Sequence, residues 1–336
     1  MSLARAEVRR LTKRRFTRWL VIGTLVLLAL IAGGTFLSNE SVGPTQLAEA
    51  RAEADRQYQQ ATVSAQAEMQ RCLAAPGTAD AGNYPPDCSQ MYQPTPEDFR
   101  PEYYMASTFT FKEKFGDVLG AFVAIFALMG FVIGASYVGA EWASGGMMNL
   151  LLWRPKRLQV LGTKLGVLLA SMAALSVVGM AAWTGIFLLI AKLRGNTEGM
   201  TSGTWQSIAL TELRGLVVIL VATAIGFGLA SIGRHTALAL GVAAGVVVIL
   251  QFGLYLVLSL AKVPFAEAVL LPIWAIAWME KEVKLENYNS CDFSATQGCQ
   301  PETITLTWPA AGGLLTILFV LVVGAALWTM RSRDVA

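Results

Sequence analysis

The chain has 336 residues, of which 54% are hydrophobic and only 15% charged, with a net charge of +3. Soluble domains carry about 25% charged residues, so this composition excludes an ordinary soluble enzyme or binding domain and points to lipid as the solvent. A bilayer core needs about 20 mostly apolar residues in helical form, so the unit of organisation here is the apolar run.

Residues 1–18 carry Arg5, Arg9, Arg10, Lys13, Arg14, Arg15 and Arg18, with Val8, Leu11 and Phe16 available to face lipid. This pattern predicts an interfacial helix on the cytoplasmic leaflet; a bare topology signal is the plainer alternative. The first span covers 19–36 and ends in Ala32-Gly33-Gly34, where a signal peptidase could cut, but its apolar stretch exceeds a typical signal-peptide core. Residues 37–117 form an extracellular loop domain. Within it Thr45 to Ala75 places Ala54, Tyr58, Ala61, Ala65, Met69 and Leu73 at intervals of three or four, which predicts one long helix with a narrow apolar stripe. Pro76, Pro85, Pro86, Pro94, Pro96 and Pro101 then forbid helix. The segment is either a solvated spacer or a folded-back lid or docking surface.

Spans two to six follow at 118–137, 165–190, 213–232, 237–260 and 308–328. They are separated by a cytoplasmic coupling loop (138–164), an extracellular loop (191–212), a cytoplasmic turn (233–236) and an extracellular loop (261–307), and a cytoplasmic tail (329–336) closes the chain. Pro264 to Met279 is apolar but too short to cross and is broken by Pro264 and Pro272, so it is predicted to re-enter from one side. The fold class is an all-α integral membrane protein with six transmembrane helices, an N-terminal interfacial helix, a re-entrant hairpin before the last span and a large helical first extracellular loop. No internal repeat or low-complexity tract is evident.

Orientation follows from where Lys and Arg lie in the short segments. Besides the N-terminal cluster, Arg154, Lys156, Arg157 and Lys164 lie between spans two and three, Arg234 after span four, and Arg331 and Arg333 at the C-terminus, against only Glu7, Glu141 and Asp334. Both termini are therefore expected in the cytoplasm of a multi-pass protein of the inner or plasma membrane. All four cysteines fall on the opposite, oxidising side, where disulfides persist. Three pairings are possible, and the two local ones, Cys72 with Cys88 and Cys291 with Cys299, close the shortest loops.

Catalytic chemistry lacks its parts. His235 is the only histidine and sits in a short turn beside Arg234, which excludes a His-rich metal site, leaves a Ser-His-Asp triad without support, and reads as a surface His. There is no G-x-x-x-x-G-K-[ST] loop, so the chain does not hydrolyse ATP by that route, and Gly226-Phe227-Gly228 lies inside a span, where glycines serve helix packing. No catalytic residue, metal site, chain-borne cofactor or nucleic-acid partner is expected. Buried ionisable residues, usual in ion-coupled carriers, are nearly missing: Glu212 and Arg214 sit at a span end. Gln251 is the one strongly polar side chain near a span's middle; interhelical bonding is favoured over ligand contact. Gly130 and Gly134 in span two and Gly241 and Gly245 in span five form G-x-x-x-G pairs that allow close helix approach, as a dimer seam or a central pathway. With Phe126, Gln251 and Tyr255 they are the candidate lining of a translocation pathway. Apolar spans without an ion relay fit a greasy or amphipathic cargo driven by another subunit.

The coupling loop reads Gly139-Ala140-Glu141-Trp142-Ala143-Ser144-Gly145-Gly146-Met147-Met148-Asn149-Leu150-Leu151-Leu152-Trp153-Arg154-Pro155-Lys156-Arg157, with Lys164 opening span three. It resembles the signature of type-2 ATP-binding-cassette permeases with a G-subfamily-like exporter fold: an acidic residue, a Gly turn, a short Leu-rich helix, a Pro beside basic residues, and a Lys at the next span. Glu141, Gly145 or Gly146, Leu150 to Leu152, Pro155, Arg157 and Lys164 match in order, with Met147 replacing the commoner step after the glycine. The resemblance implies two permease chains, here a homodimer, and two cytoplasmic ATPase subunits that bind the ATP and magnesium. On this reading Glu141, Trp142, Met147, Met148, Leu151, Trp153 and Arg154 form the surface that grips the ATPase, apolar contacts giving grip and charges register. An interfacial helix lying on lipid is the plainer alternative for that loop. The rival class is a membrane-anchored sensor or assembly factor acting through the first extracellular loop; a channel would need a polar-lined span.

Overall fold

The computed structural model describes residues 3–77, 82–85, 87–153, 156–287 and 301–332. In chain order the main elements are α1 (Leu3–Lys13), α2 (Arg15–Ser38), α3 (Pro44–Ala74), β1 (Phe109–Thr110), α4 (Phe111–Ala143), α5 (Gly146–Trp153), α6 (Arg157–Arg194), β2 (Gly195–Asn196) and α7 (Ser202–Gly233). Then come α8 (Thr236–Gly245), a π-helical stretch (Val246–Gly253), α9 (Leu254–Leu260), α10 (Leu271–Glu280), β3 (Glu282–Asn287), β4 (Glu302–Thr307) and α11 (Trp308–Ser332). The six predicted spans are all present as helices long and apolar enough to cross a membrane, with α8, the π stretch and α9 together forming the fifth. Several run well past their apolar cores. α6, for example, begins at Arg157, because Gln159, Thr163 and Lys164 are compatible with helix and only the hydropathy changes there.

The chain divides into two compact units. The first comprises Met1–Ile31, Lys112–Ile186 and Gly199–Ala336. Its central helices are α4 and α7, each about half buried in the protein, whereas the fifth span is the most exposed. The seam between α4 and α7 is built from small residues. A Cβ on Gly130 would collide with the Thr223 hydroxyl, one on Gly134 with the Thr223 carbonyl, and one on Gly226 with the Phe131 carbonyl. Glycine lets the backbones meet, and dispersion contacts then replace lipid. Gly139, at the far end of α4, approaches Thr236 in the same way, with 2.5 Å between an added Cβ and the Thr236 nitrogen.

Helix ends in this unit are capped locally. Thr201 accepts from the Thr204 N–H at the start of α7, and Arg234 takes the left-handed conformation (φ 54°) that ends it. His235, read from the sequence as a plain surface residue, is exposed and caps α8 by accepting from the Ala237 N–H at 3.1 Å.

The re-entrant segment is helical and too short to span. A 3-10 turn at Ala266–Val269 leads into α10, and Phe265 turns the chain with φ 54°. Gln251 anchors it: its Oε1 accepts from the Leu271 N–H at 2.6 Å and its Nε2 donates to the Val269 carbonyl at 3.3 Å. Trp278 donates to the Arg214 carbonyl at 3.0 Å and fills the space left by Gly312. After α10 the chain forms an antiparallel β3–β4 hairpin, with Glu282 opposite Thr307 and Asn287 opposite Glu302, where the sequence was read only as a loop. Its alternating Leu285 and Leu306 pack with Ala277 and Ala311 in a small apolar core.

The second unit comprises Ala32–Phe111 and Phe187–Glu198. The predicted long helix is α3, with Pro44 in its first turn, and Ala50 and Ala54 on its buried stripe. Short 3-10 turns at Pro96–Phe99 and Pro101–Tyr104 pack back on it, and Phe99 meets Tyr58 with ring centroids 5.9 Å apart. Cys72 and Cys88 form the expected disulfide, 16 residues apart. Closing a loop of that size stabilises by about 3 kcal/mol. The proposed partner pair, Cys291 and Cys299, lies outside the described residues.

Candidate functional site

The coupling loop has the order that its residues predict. α4 ends at Ala143, Gly145 makes the turn with φ 71°, and the eight-residue α5 follows. The left-handed φ explains the glycine there, since other residues would be strained.

A charged cluster drawn from residues before and after α5 in the chain has a centre closed to water. Glu7 of α1 and Lys164 of α6 are both fully buried, and Lys164 Nζ donates to Glu7 Oε2 at 2.7 Å. Tyr137 of α4, also fully buried, donates its hydroxyl to the same Oε2 at 2.6 Å. Lys164 Nζ also lies 2.7 Å from Glu141 Oε2, an ion-pair contact off the hydrogen-bonding direction, and 5.1 Å from the centre of the Tyr137 ring. Arg10 closes the group, 3.2 Å from Glu7 Oε1 and 3.9 Å from Glu141. Two carboxylates face two cations, so the cluster is neutral as a whole. Arg14 adds a bond to the Ser136 carbonyl at 3.0 Å. Burying an isolated charge costs several kcal/mol, which this mutual pairing offsets. Breaking one partner costs about 3–5 kcal/mol, so the cluster clamps α1, α4 and α6 together immediately before and after α5.

This arrangement revises the roles given to the loop residues. Glu141, expected to fix register on a soluble partner, is engaged within the chain by Lys164 and Arg10. The motif's acidic residue and its lysine are therefore partners of one another. Met147, expected on the gripping surface, is fully buried within the chain. Trp142 is partly buried, with the Arg234 guanidinium 5.0 Å from its ring centre, so it packs on the turn after α7. Met148 is half-buried, and Leu151 and Trp153 lie in α5 by backbone, while Arg154 falls outside the described residues. What α5 presents outward is Leu152, 80% exposed, with the exposed Asn149 beside it. Glu7 was counted from the sequence only as a minor charge. Its place four residues before the buried Leu11, on one face of α1, is the signal that could have found it.

The candidate pathway residues separate into two groups. Phe126 is buried and stacks on Phe122 with centroids 4.2 Å apart, and Gly130 and Gly134 are committed to the α7 seam. Span two's glycines thus meet span four, not span five, within one chain. Gly241 and Gly245 have nothing within 4 Å of an added Cβ, and their neighbours Leu240, Val247, Val248, Ile249 and Phe252 are exposed. Gln251 holds α10, as its interhelical reading anticipated. Tyr255 borders a shallow hollow of about 200 Å³ with Ser259, Phe265 and Glu286. The π-helical winding over Val246–Gly253 carries Gln251, and such segments occur disproportionately at functional sites.

Six helices long and apolar enough to cross a membrane, with an ion-pair cluster tying α1, α4 and α6 together, define a multi-pass membrane protein. The family described as ABC-2 family transporter protein matches residues 1–328, and the chain belongs to that family. It is accordingly a membrane permease subunit of an ABC transporter, whose family works with an ABC ATPase. Among curated proteins, none matches the chain.

Proposed function

We propose that the chain exports a hydrophobic or amphipathic compound as a homodimer, with two cytoplasmic ATPase subunits docking on α5 and supplying the ATP and magnesium chemistry. Both termini lie in the cytoplasm on this reading, and the exposed glycine face of the fifth span, with Tyr255, lines the path or the dimer seam. The observation that carries the proposal is the clamp of Glu7, Glu141 and Lys164, whose last two members flank a short helix that exposes Leu152. A rigid mount with an apolar tip transmits a push; the same helix lying loosely on lipid would need no buried ion pair beneath it. Glu141 acts by holding α5 in place, and Leu152 makes the contact.

The test is transport by inverted membrane vesicles that contain the permease and its ATPase. An amphipathic fluorescent probe should accumulate inside only with Mg-ATP, and accumulation should stop when the permease is omitted. Probe movement out of the vesicles on ATP addition would reverse the direction, and no ATP-dependent movement with a range of apolar probes would remove the exporter reading.

A further inference from the structure

A hollow in the first unit lies away from the coupling loop, where α4 and α7 begin. It has a volume of about 550 Å³ and is open on one side. That size falls within the range of small-molecule sites. Its walls change character with depth. At the mouth Lys112 lies over the Gly199 backbone, where an added Cβ would meet its Nζ at 3.4 Å. Among the described residues Lys112 makes no ion pair and the Ser207 hydroxyl makes no hydrogen bond, so both keep donors to offer. Deeper in, Phe115 and Leu119, each 1% exposed, and Ile208 form an apolar wall. From Lys112 to Leu119 the helix rises about 10 Å, which crosses from the charged first turns of α4 into its apolar run.

We propose that this groove binds one anionic amphiphile, its phosphate or carboxylate head on Lys112 and Ser207 and its acyl chain along Phe115, Leu119 and Ile208. A free anion would use only the mouth, and a neutral hydrocarbon would leave the lysine idle. The ligand is therefore a molecule with both parts, either a lipid of the surrounding bilayer or the cargo itself. The site stands independently of the export reading, because binding to the isolated permease needs no ATPase.

Gly116 provides a clean probe. It borders the groove and nothing lies within 4 Å of an added Cβ, so Gly116→Trp leaves the backbone unhindered and puts bulk into the groove. Lys112→Gln removes the charge from an exposed side chain. The experiment is native mass spectrometry of the full chain in detergent with phosphatidylglycerol, with phosphatidylcholine of the same chains, and with inorganic phosphate as competitor; thermal unfolding confirms that each variant is folded. Wild type should retain one phosphatidylglycerol in preference to phosphatidylcholine. Lys112→Gln should weaken that retention about fivefold, as for one cation beside an anionic headgroup, and Gly116→Trp should abolish it. In proteoliposomes with the ATPase, loss of the bound lipid during ATP turnover would mark cargo, and retention would mark a resident lipid; either agrees with the site. Equal retention of the two lipids, wild-type retention by both variants, or displacement by inorganic phosphate at the lipid's own concentration would overturn it.

Discussion

Glu7 and Lys164 stand 157 positions apart and meet as a fully buried ion pair at 2.7 Å. No local pattern pairs the two residues, yet each would be a costly charge without the other. Removing one should therefore destabilise more than removing both. Glu7→Ala is expected to lower the stability of the detergent-solubilised protein by about 3–5 kcal/mol, while Glu7→Leu combined with Lys164→Met recovers much of the loss. Thermal unfolding of the two single variants and the double variant measures this. Additive losses would show that the pair does not act as a unit.

The two glycine pairs should respond oppositely to bulk. Gly130→Phe drives a ring into Thr223 of α7, an overpacking cost of at least about 1–3 kcal/mol, and is expected to yield misfolded or poorly expressed protein. Gly245→Phe meets open space and should fold normally while impairing transport or dimer formation. Size-exclusion profiles followed by vesicle transport separate the outcomes. Normal transport by Gly245→Phe would take the fifth span out of the path.

Gln251 should matter to α10 more than to cargo. Gln251→Leu removes the partner of the exposed Leu271 N–H and of the part-buried Val269 carbonyl, at about 0.5–1.5 kcal/mol for each bond lost. Hydrogen exchange over residues 266–280 should speed up while the α4–α7 seam keeps its protection. Unchanged exchange there would mean that the bonds of Trp274, Trp278 and Arg214 hold α10 without Gln251.

In the second unit, Asp98 accepts from the Thr95 N–H and hydroxyl and from the Tyr92 hydroxyl, each at 2.8 Å. These bonds favour the ionised form and hold its carboxyl below the ordinary carboxylate value, the Thr95 backbone bond contributing most. The turn's stabilisation is therefore complete above the ordinary carboxylate pKa and is lost as pH falls through the lowered folded value. Carboxyl carbon NMR of the labelled protein should show Asp98 titrating below the ordinary carboxylate range. Titration at or above that range would contradict the geometry.

The sequence made the spans legible because apolar runs of membrane length have few alternative readings, and α3 because its stripe repeats at helical spacing. The Cys72 to Cys88 link followed from shortness alone. Partners that sit far apart in the chain were not legible: the G-x-x-x-G pattern announces a close approach without saying to which helix, and Gly130 meets Thr223 rather than span five. An eight-residue helix apolar nearly throughout carries no periodicity to show that Met147 turns inward and Leu152 outward. The alternation of Val283 and Leu285 and of Ile304 and Leu306 is the period-two signal of the β3–β4 pair, but each strand is only six residues long and the two are separated by more than a dozen residues in the chain.

The central claim is that α5 is the seat of the ATPase and Leu152 its exposed contact, and copurification tests it most directly. The ATPase should be recovered in stoichiometric amount with the wild-type permease and with Lys156→Ala. It should be lost with Leu152→Asp, whose own unfolding temperature stays unchanged because the residue is already 80% exposed. Stoichiometric ATPase with Leu152→Asp, together with normal cargo-stimulated ATP hydrolysis, would show α5 to be a lipid-facing helix and contradict the account.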